Sequence, residues 1–194
     1  MKKLDYSTQI NCHKSELIDA INNIDMDSVQ FLSLAIAETL KSGNKVVVAG
    51  NGGSCSDAEH LTAELVGRFN MERRSLPCIN LATPSSVITA IANDYGYGYV
   101  FSRQLESLLN EKDIFIGIST SGTSANILNC IEHCQRRDIF HILLTSNKCE
   151  HNYADYTFHA NTKSTMIAQE IHGIIIHMIC DIVDNIMFTT ESKG

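Results

Sequence analysis

Short runs of β-branched and apolar residues alternate with longer segments of helical period along almost the whole chain, and few folds accommodate that pattern. Lys45-Val-Val-Val-Ala-Gly50, Cys78-Ile-Asn-Leu-Ala82, Asp113-Ile-Phe-Ile-Gly-Ile118, Ile139-Phe-His-Ile-Leu-Leu144 and Tyr156-Thr-Phe-His-Ala160 have strand length and composition. Helical patterns are predicted over 7–41, as two helices broken near 24–27, and over 54–69, 85–92, 99–109, 124–136 and 165–188. Strands without polar alternation, each followed by a helix, predict βαβ units and a parallel sheet covered on both faces. Ligands of such sheets bind beyond the carboxyl ends of the strands, where strand order reverses. A single domain over 1–194 is expected, with N-terminal helices 7–42, a sheet core 45–160 and a long C-terminal helix 165–188.

Two strand-to-helix loops carry the chemistry. Gly50-Asn-Gly-Gly-Ser-Cys-Ser56 combines glycines, which permit close backbone approach, with Ser54 and Ser56 at the start of a helix, where free amides and the dipole favour an anion. Ser119-Thr-Ser-Gly-Thr-Ser124 holds five hydroxyl residues in six positions. Many neutral donors and no fixed cation suit a phosphate monoester that must be released again. Neither Gly-Lys-Ser/Thr nor Gly-x-Gly-x-x-Gly is present, so no nucleotide cofactor is expected.

Two helices present polar residues towards this region. Asp57, His60, Glu64 and Arg68 follow the first loop at helical spacing, and His60 and Glu64 at i, i+4 form a metal-ligand pair. The final helix is apolar nearly all round, yet it carries Gln169, Gly173 and His177 within one arc. Gln169 and His177 are about 12 Å apart along a straight helix, so one ion meets both only through sideways reach, a bend or a second chain. Seven scattered cysteines read as reduced thiols; Cys130 and Cys134 read as a buried helix face rather than part of a metal site with His133, Cys149 and His151.

The net charge of −7 argues against nucleic-acid and anionic-membrane partners. Apolar stretches of around ten residues are too short to span a bilayer, and no secretory pattern opens the chain, so a cytoplasmic location is expected.

Taken together, Ala49-Gly-Asn-Gly-Gly-Ser54, Asp57-Ala-Glu-His60 with Glu64 and Gly67-Arg68, Asn93-Asp-Tyr-Gly-Tyr97, Phe101-Ser-Arg-Gln104, Gly117-Ile-Ser-Thr-Ser-Gly122 and Gln169-Glu-x-His172 with His177 resemble a SIS (sugar isomerase) domain, and closely the phosphoheptose isomerase family. The resemblance implies a flavodoxin-like α/β three-layer sandwich with a five-stranded parallel sheet, and a homotetramer with active sites at subunit contacts. It implies conversion of sedoheptulose 7-phosphate into D-glycero-D-manno-heptose 7-phosphate for bacterial heptose synthesis, serving lipopolysaccharide or capsule. Ser54, Ser119, Thr120, Ser121 and Ser124 are then expected to hold the phosphate, with Asn51, Gly52, Gly53, Asp94, Thr120 and Gln169 along the substrate. Glu64 and His177 are the implied catalytic pair, and His60, Glu64, Gln169 and His177 match positions that bind zinc in some members. The alternative is a non-enzymatic SIS adaptor for a replication initiator protein, which would not need Glu64, Gln169 or His177.

Overall fold

A computed structural model of the chain describes residues 6–189. The elements are α1 (Ser7–Asn22), α2 (Met26–Lys41), β1 (Val46–Gly50), α3 (Gly53–Val66), β2 (Cys78–Asn80), α4 (Ser85–Tyr95), a 3-10 turn (Tyr97–Tyr99), α5 (Ser102–Leu108), β3 (Ile114–Ile118), α6 (Ala125–Arg136), β4 (His141–Ser146), β5 (Tyr156–Ala160) and α7 (Thr165–Phe188). All strand pairs are parallel and the order is β2-β1-β3-β4-β5. This is the flavodoxin-like order, with its switch between β1 and β3. The loops that follow these two neighbouring strands are the two glycine-serine loops.

The alternation of side chains along each strand divides the core in two. Val46, Val48, Ile114, Ile116, Ile118, Ile142 and Leu144 face α2, α3 and α7. Val47, Ala49, Phe115 and Leu143 face α5 and α6. Each fully buried Val, Leu or Ile side chain contributes roughly 1.5–3 kcal/mol, which makes the sheet a firm base for loops that pack little of their own.

Several boundaries differ from expectation. α3 stops at Val66, because Gly67 takes non-helical angles and Arg68 lies beyond it. Arg68 therefore leaves the Asp57–His60–Glu64 stripe and approaches Glu72 at 3.7 Å instead of Glu64. β4 lies two residues later than its apolar run, because Thr145 and Ser146 still pair with His159 and Ala160. By length and composition alone α7 could cross a bilayer; half of its most apolar stretch is buried, and it packs along α2 and α3, as a core helix does. The interruptions that suggested short apolar stretches, such as His172, His177, Asp181 and Asp184, lie within this one helix. Cys130 and Cys134 line the buried face of α6, all seven cysteines are free, and no cysteine joins a metal-ligand cluster among the described residues.

Candidate active site

The first loop turns through Gly52, whose φ of +56° and absent side chain precede the first turn of α3. Gly50 approaches the carbonyl of Ser54 so closely that a Cβ would collide with it. Ser54 is buried, its amide bonded to the Asn51 carbonyl at 3.0 Å. The half-buried Asn51 forms a reciprocal carboxamide pair with Asn126 on α6, at 2.8 and 2.9 Å, and its Oδ1 accepts a further bond from the Tyr97 hydroxyl at 3.0 Å. The two loops are thus joined to each other.

In the second loop Ser119 Oγ lies 2.9 Å from Ser124 Oγ and 3.5 Å from Ser121 Oγ. Ser121 Oγ also accepts from the Thr123 amide and hydroxyl, and Ser146 Oγ donates to the Thr120 carbonyl at 2.6 Å. Gly122 has φ +69°, and a Cβ there would strike Cys149 Sγ. Ser124 places no side-chain cap on α6, so its hydroxyl takes up none of the opening amides of that helix. The result is a cluster of hydroxyls and helix-end amides with no fixed cation among them.

α3 and α7 bring the remaining groups together. His60 Nε2 lies 2.9 Å from His177 Nε2 and 3.4 Å from Glu64 Oε1. The rings of His60 and His177 meet edge to face, and His177 stacks on Phe69. His60 and Glu64 are partly buried, whereas His177 is exposed on the single chain but aimed at His60. Among the described residues these three form the one cluster whose nitrogen and oxygen ligand atoms lie within 4.8 Å of each other. Two imidazole nitrogens so close either share a proton or face a common cation.

Gln169 sits elsewhere. Its amide fills the space that a Cβ on Gly53 would occupy, at the first loop. It is two turns of α7 before His177, so in one chain it faces the glycine loop and not the histidines. Gly173, between them, has open space beside it. Asp94 is exposed near the end of α4, bonded to Asn93 Nδ2 at 2.9 Å and three residues before Tyr97. Burial pushes the carboxyl of Asp57 up to about 6, with one oxygen unpartnered.

Arg73 was not legible as a site residue, yet it ties the two helices. Its guanidinium donates to the carbonyls of Glu64, Leu65, Gly67 and Arg74 and pairs with Asp184 of α7 at 2.6 Å. Asn126 was also missed; its signal was a polar residue within the otherwise apolar stripe Ile127, Cys130, Ile131, Cys134.

The SIS domain family model matches residues 12–146. A phosphoheptose isomerase of Thermodesulfovibrio yellowstonii is 44% identical over 155 residues, 79% of this chain and 77% of that protein. One from Pelobacter propionicus is 38% identical over 186 residues, 95% of this chain and 98% of that protein. The solved phosphoheptose isomerase of Francisella tularensis superposes with a TM-score of 0.87 at 33% identity, covering 94% of this chain and 100% of that one. That of Neisseria gonorrhoeae gives 0.85 at 31% identity, with coverage of 93% and 100%. The chain belongs to the SIS domain family and, within it, to the phosphoheptose isomerases.

Proposed function

We propose that this chain interconverts sedoheptulose 7-phosphate and D-glycero-D-manno-heptose 7-phosphate through an enediol, with Glu64 and His177 as the proton-transfer pair. The observation that carries the reading is the meeting of His60, Glu64 and His177, drawn from two distant helices, on a scaffold whose linked loops supply hydroxyls and amides for a phosphate. The relatives named above are isomerases, which favours an enzyme over an adaptor.

Ketose–aldose isomerisation removes a proton from the carbon next to the carbonyl and protonates the carbonyl oxygen. The reverse pair of transfers, one carbon and one oxygen further along, completes it. Glu64 and His177 exchange these protons between them. Ser54, Ser119, Thr120, Ser121 and Ser124 hold the phosphate, and Asn51, Asp94, Thr120 and Gln169 bind along the sugar. Gly52 and Gly53 let the backbone approach it.

His60, Glu64 and His177 present two imidazole nitrogens and a carboxylate, a donor set suited to zinc; Gln169, the remaining member of the expected set, packs on Gly53 within the same chain. A bound zinc would polarise a carbonyl oxygen and favour the enediolate. His177 is exposed on one chain, which accords with a homotetramer whose second subunit covers the site. A cytoplasmic location fits this substrate.

Purified protein incubated with sedoheptulose 7-phosphate, with zinc or with a chelator, is expected to yield the aldose by product NMR. No product under either condition would return the chain to the adaptor reading.

A further inference from the structure

The β1–β3 ladder ends at the pair Gly50–Ile118, and beyond it the glycine loop and the serine loop separate with no ladder bonds between them. The next link is the reciprocal carboxamide pair of Asn51 and Asn126, between side chains 75 positions apart in sequence. Asn51 immediately precedes Gly52. Asn126 lies in the first turn of α6, two residues after Ser124, and is buried with 3% of its surface exposed. Its place therefore follows the serine loop.

Tyr97 adds a third arm. Tyr97 is exposed at 59%, where water could serve its hydroxyl, yet that hydroxyl is seated on Asn51 at 3.0 Å. The backbone around it is shaped for this. Gly96 turns the chain with φ +92°, and Asn129, one turn after Asn126 on α6, donates to the Gly98 carbonyl at 2.8 Å. The 3-10 turn is thus pinned to α6 on one side and reaches the glycine loop on the other. The arrangement is satisfied in either orientation of the two amides, because a tyrosine hydroxyl both donates and accepts.

We propose that Tyr97 and Asn126 are positioning residues of the isomerase: by gripping Asn51 from two sides they set the gap between the glycine loop and the serine loop, so that one sugar phosphate is bound by both. This rests on the reading of the site under Proposed function. The clasp is formed before the ligand arrives and acts on ground state and transition state alike, so its loss appears in KM more than in kcat.

Steady-state kinetics with sedoheptulose 7-phosphate test it. Tyr97→Phe removes one neutral hydrogen bond and is expected to raise KM roughly two- to ten-fold, with kcat within about two-fold and an unchanged melting temperature. Asn126→Ala is expected to lower kcat/KM by more than Tyr97→Phe does. In an Asn51→Ala background Tyr97→Phe is expected to add less than about two-fold, because its route to the substrate is gone. A Tyr97→Phe protein with parental KM, or one losing the same factor with and without Asn51, overturns the proposal. If the parent does not turn over this substrate, the functional reading has failed, and titration with inorganic phosphate then decides about the clasp. Weaker phosphate binding in Tyr97→Phe keeps it, and equal binding removes it.

Discussion

Replacing Arg73 by Leu puts the joint between α3 and α7 to the test. Arg73 and Asp184 each expose 1% of their side chains, and one oxygen of Asp184 has no partner. Removing the guanidinium strands a buried carboxylate, which costs roughly 3–5 kcal/mol. It also frees the carbonyl of Glu64 at the end of α3, worth about 1 kcal/mol when left unmade, whereas that of Leu65 keeps the Leu76 amide. The expected loss of roughly 4–6 kcal/mol is a large share of the ~5–15 kcal/mol by which domains are usually stable. Urea unfolding followed by circular dichroism, at one protein concentration, measures it. With a slope of about 2 kcal/mol/M the midpoint falls by roughly 2–3 M. The companion variant Arg73→Met with Asp184→Leu leaves no stranded charge and is expected to recover at least half of the loss. An Arg73→Leu midpoint within about 0.5 M of the parent, or a double variant no better than the single one, would refute the reasoning.

Two further outcomes are expected. Gly122→Ala forces a side chain into a φ of +69° and against Cys149 Sγ; it should cost roughly 2–4 kcal/mol in unfolding and raise KM, and Cys149→Ala should relieve only the steric part. Burial pushes the imidazole of His172 down to about 4, while its Nε2 shares a hydrogen bond with the Thr145 carbonyl at 3.1 Å. The unfolded chain takes up that proton below about 6.5, so His172 lowers stability as pH falls from about 6.5 to 4, by roughly 2 kcal/mol at pH 5. Asp57, raised to about 6, works in the opposite direction between about 6 and 3.8. On going from pH 7 to pH 5 the urea midpoint of His172→Gln should rise relative to that of the parent, by the equivalent of about 2 kcal/mol, and an unchanged offset between the two proteins counts against a neutral buried His172.

The parallel sheet was legible because buried strands need continuous apolar runs, and the two loops because their hydroxyl and glycine content exceeds what a turn requires. β5 and α7 have the predicted bounds, Tyr156–Ala160 and Thr165–Phe188. What escaped was set by tertiary partners. Thr145 and Ser146 look like loop residues until β5 pairs with them, and Arg73 looks like a surface cation until Asp184 meets it. Arg68 was expected on the Asp57–His60–Glu64 stripe, but Gly67 ends the helix before it, while the expected His60–Glu64 pair stands at 3.4 Å. Tyr97 closes the stretch Asn93-Asp-Tyr-Gly-Tyr97 but carried no role there, and Asn126 lies in none of the matching stretches; their meaning lies in Asn51, which only the folded chain brings to them.

The most direct test of the central claim compares turnover of sedoheptulose 7-phosphate by the parent, Glu64→Gln and His177→Ala proteins at matched oligomeric state. Removing either partner of the proton-transfer pair is expected to abolish aldose formation while the fold and assembly, read by circular dichroism and light scattering, stay those of the parent. Full turnover by either variant would contradict the assignment of Glu64 and His177 to the chemistry.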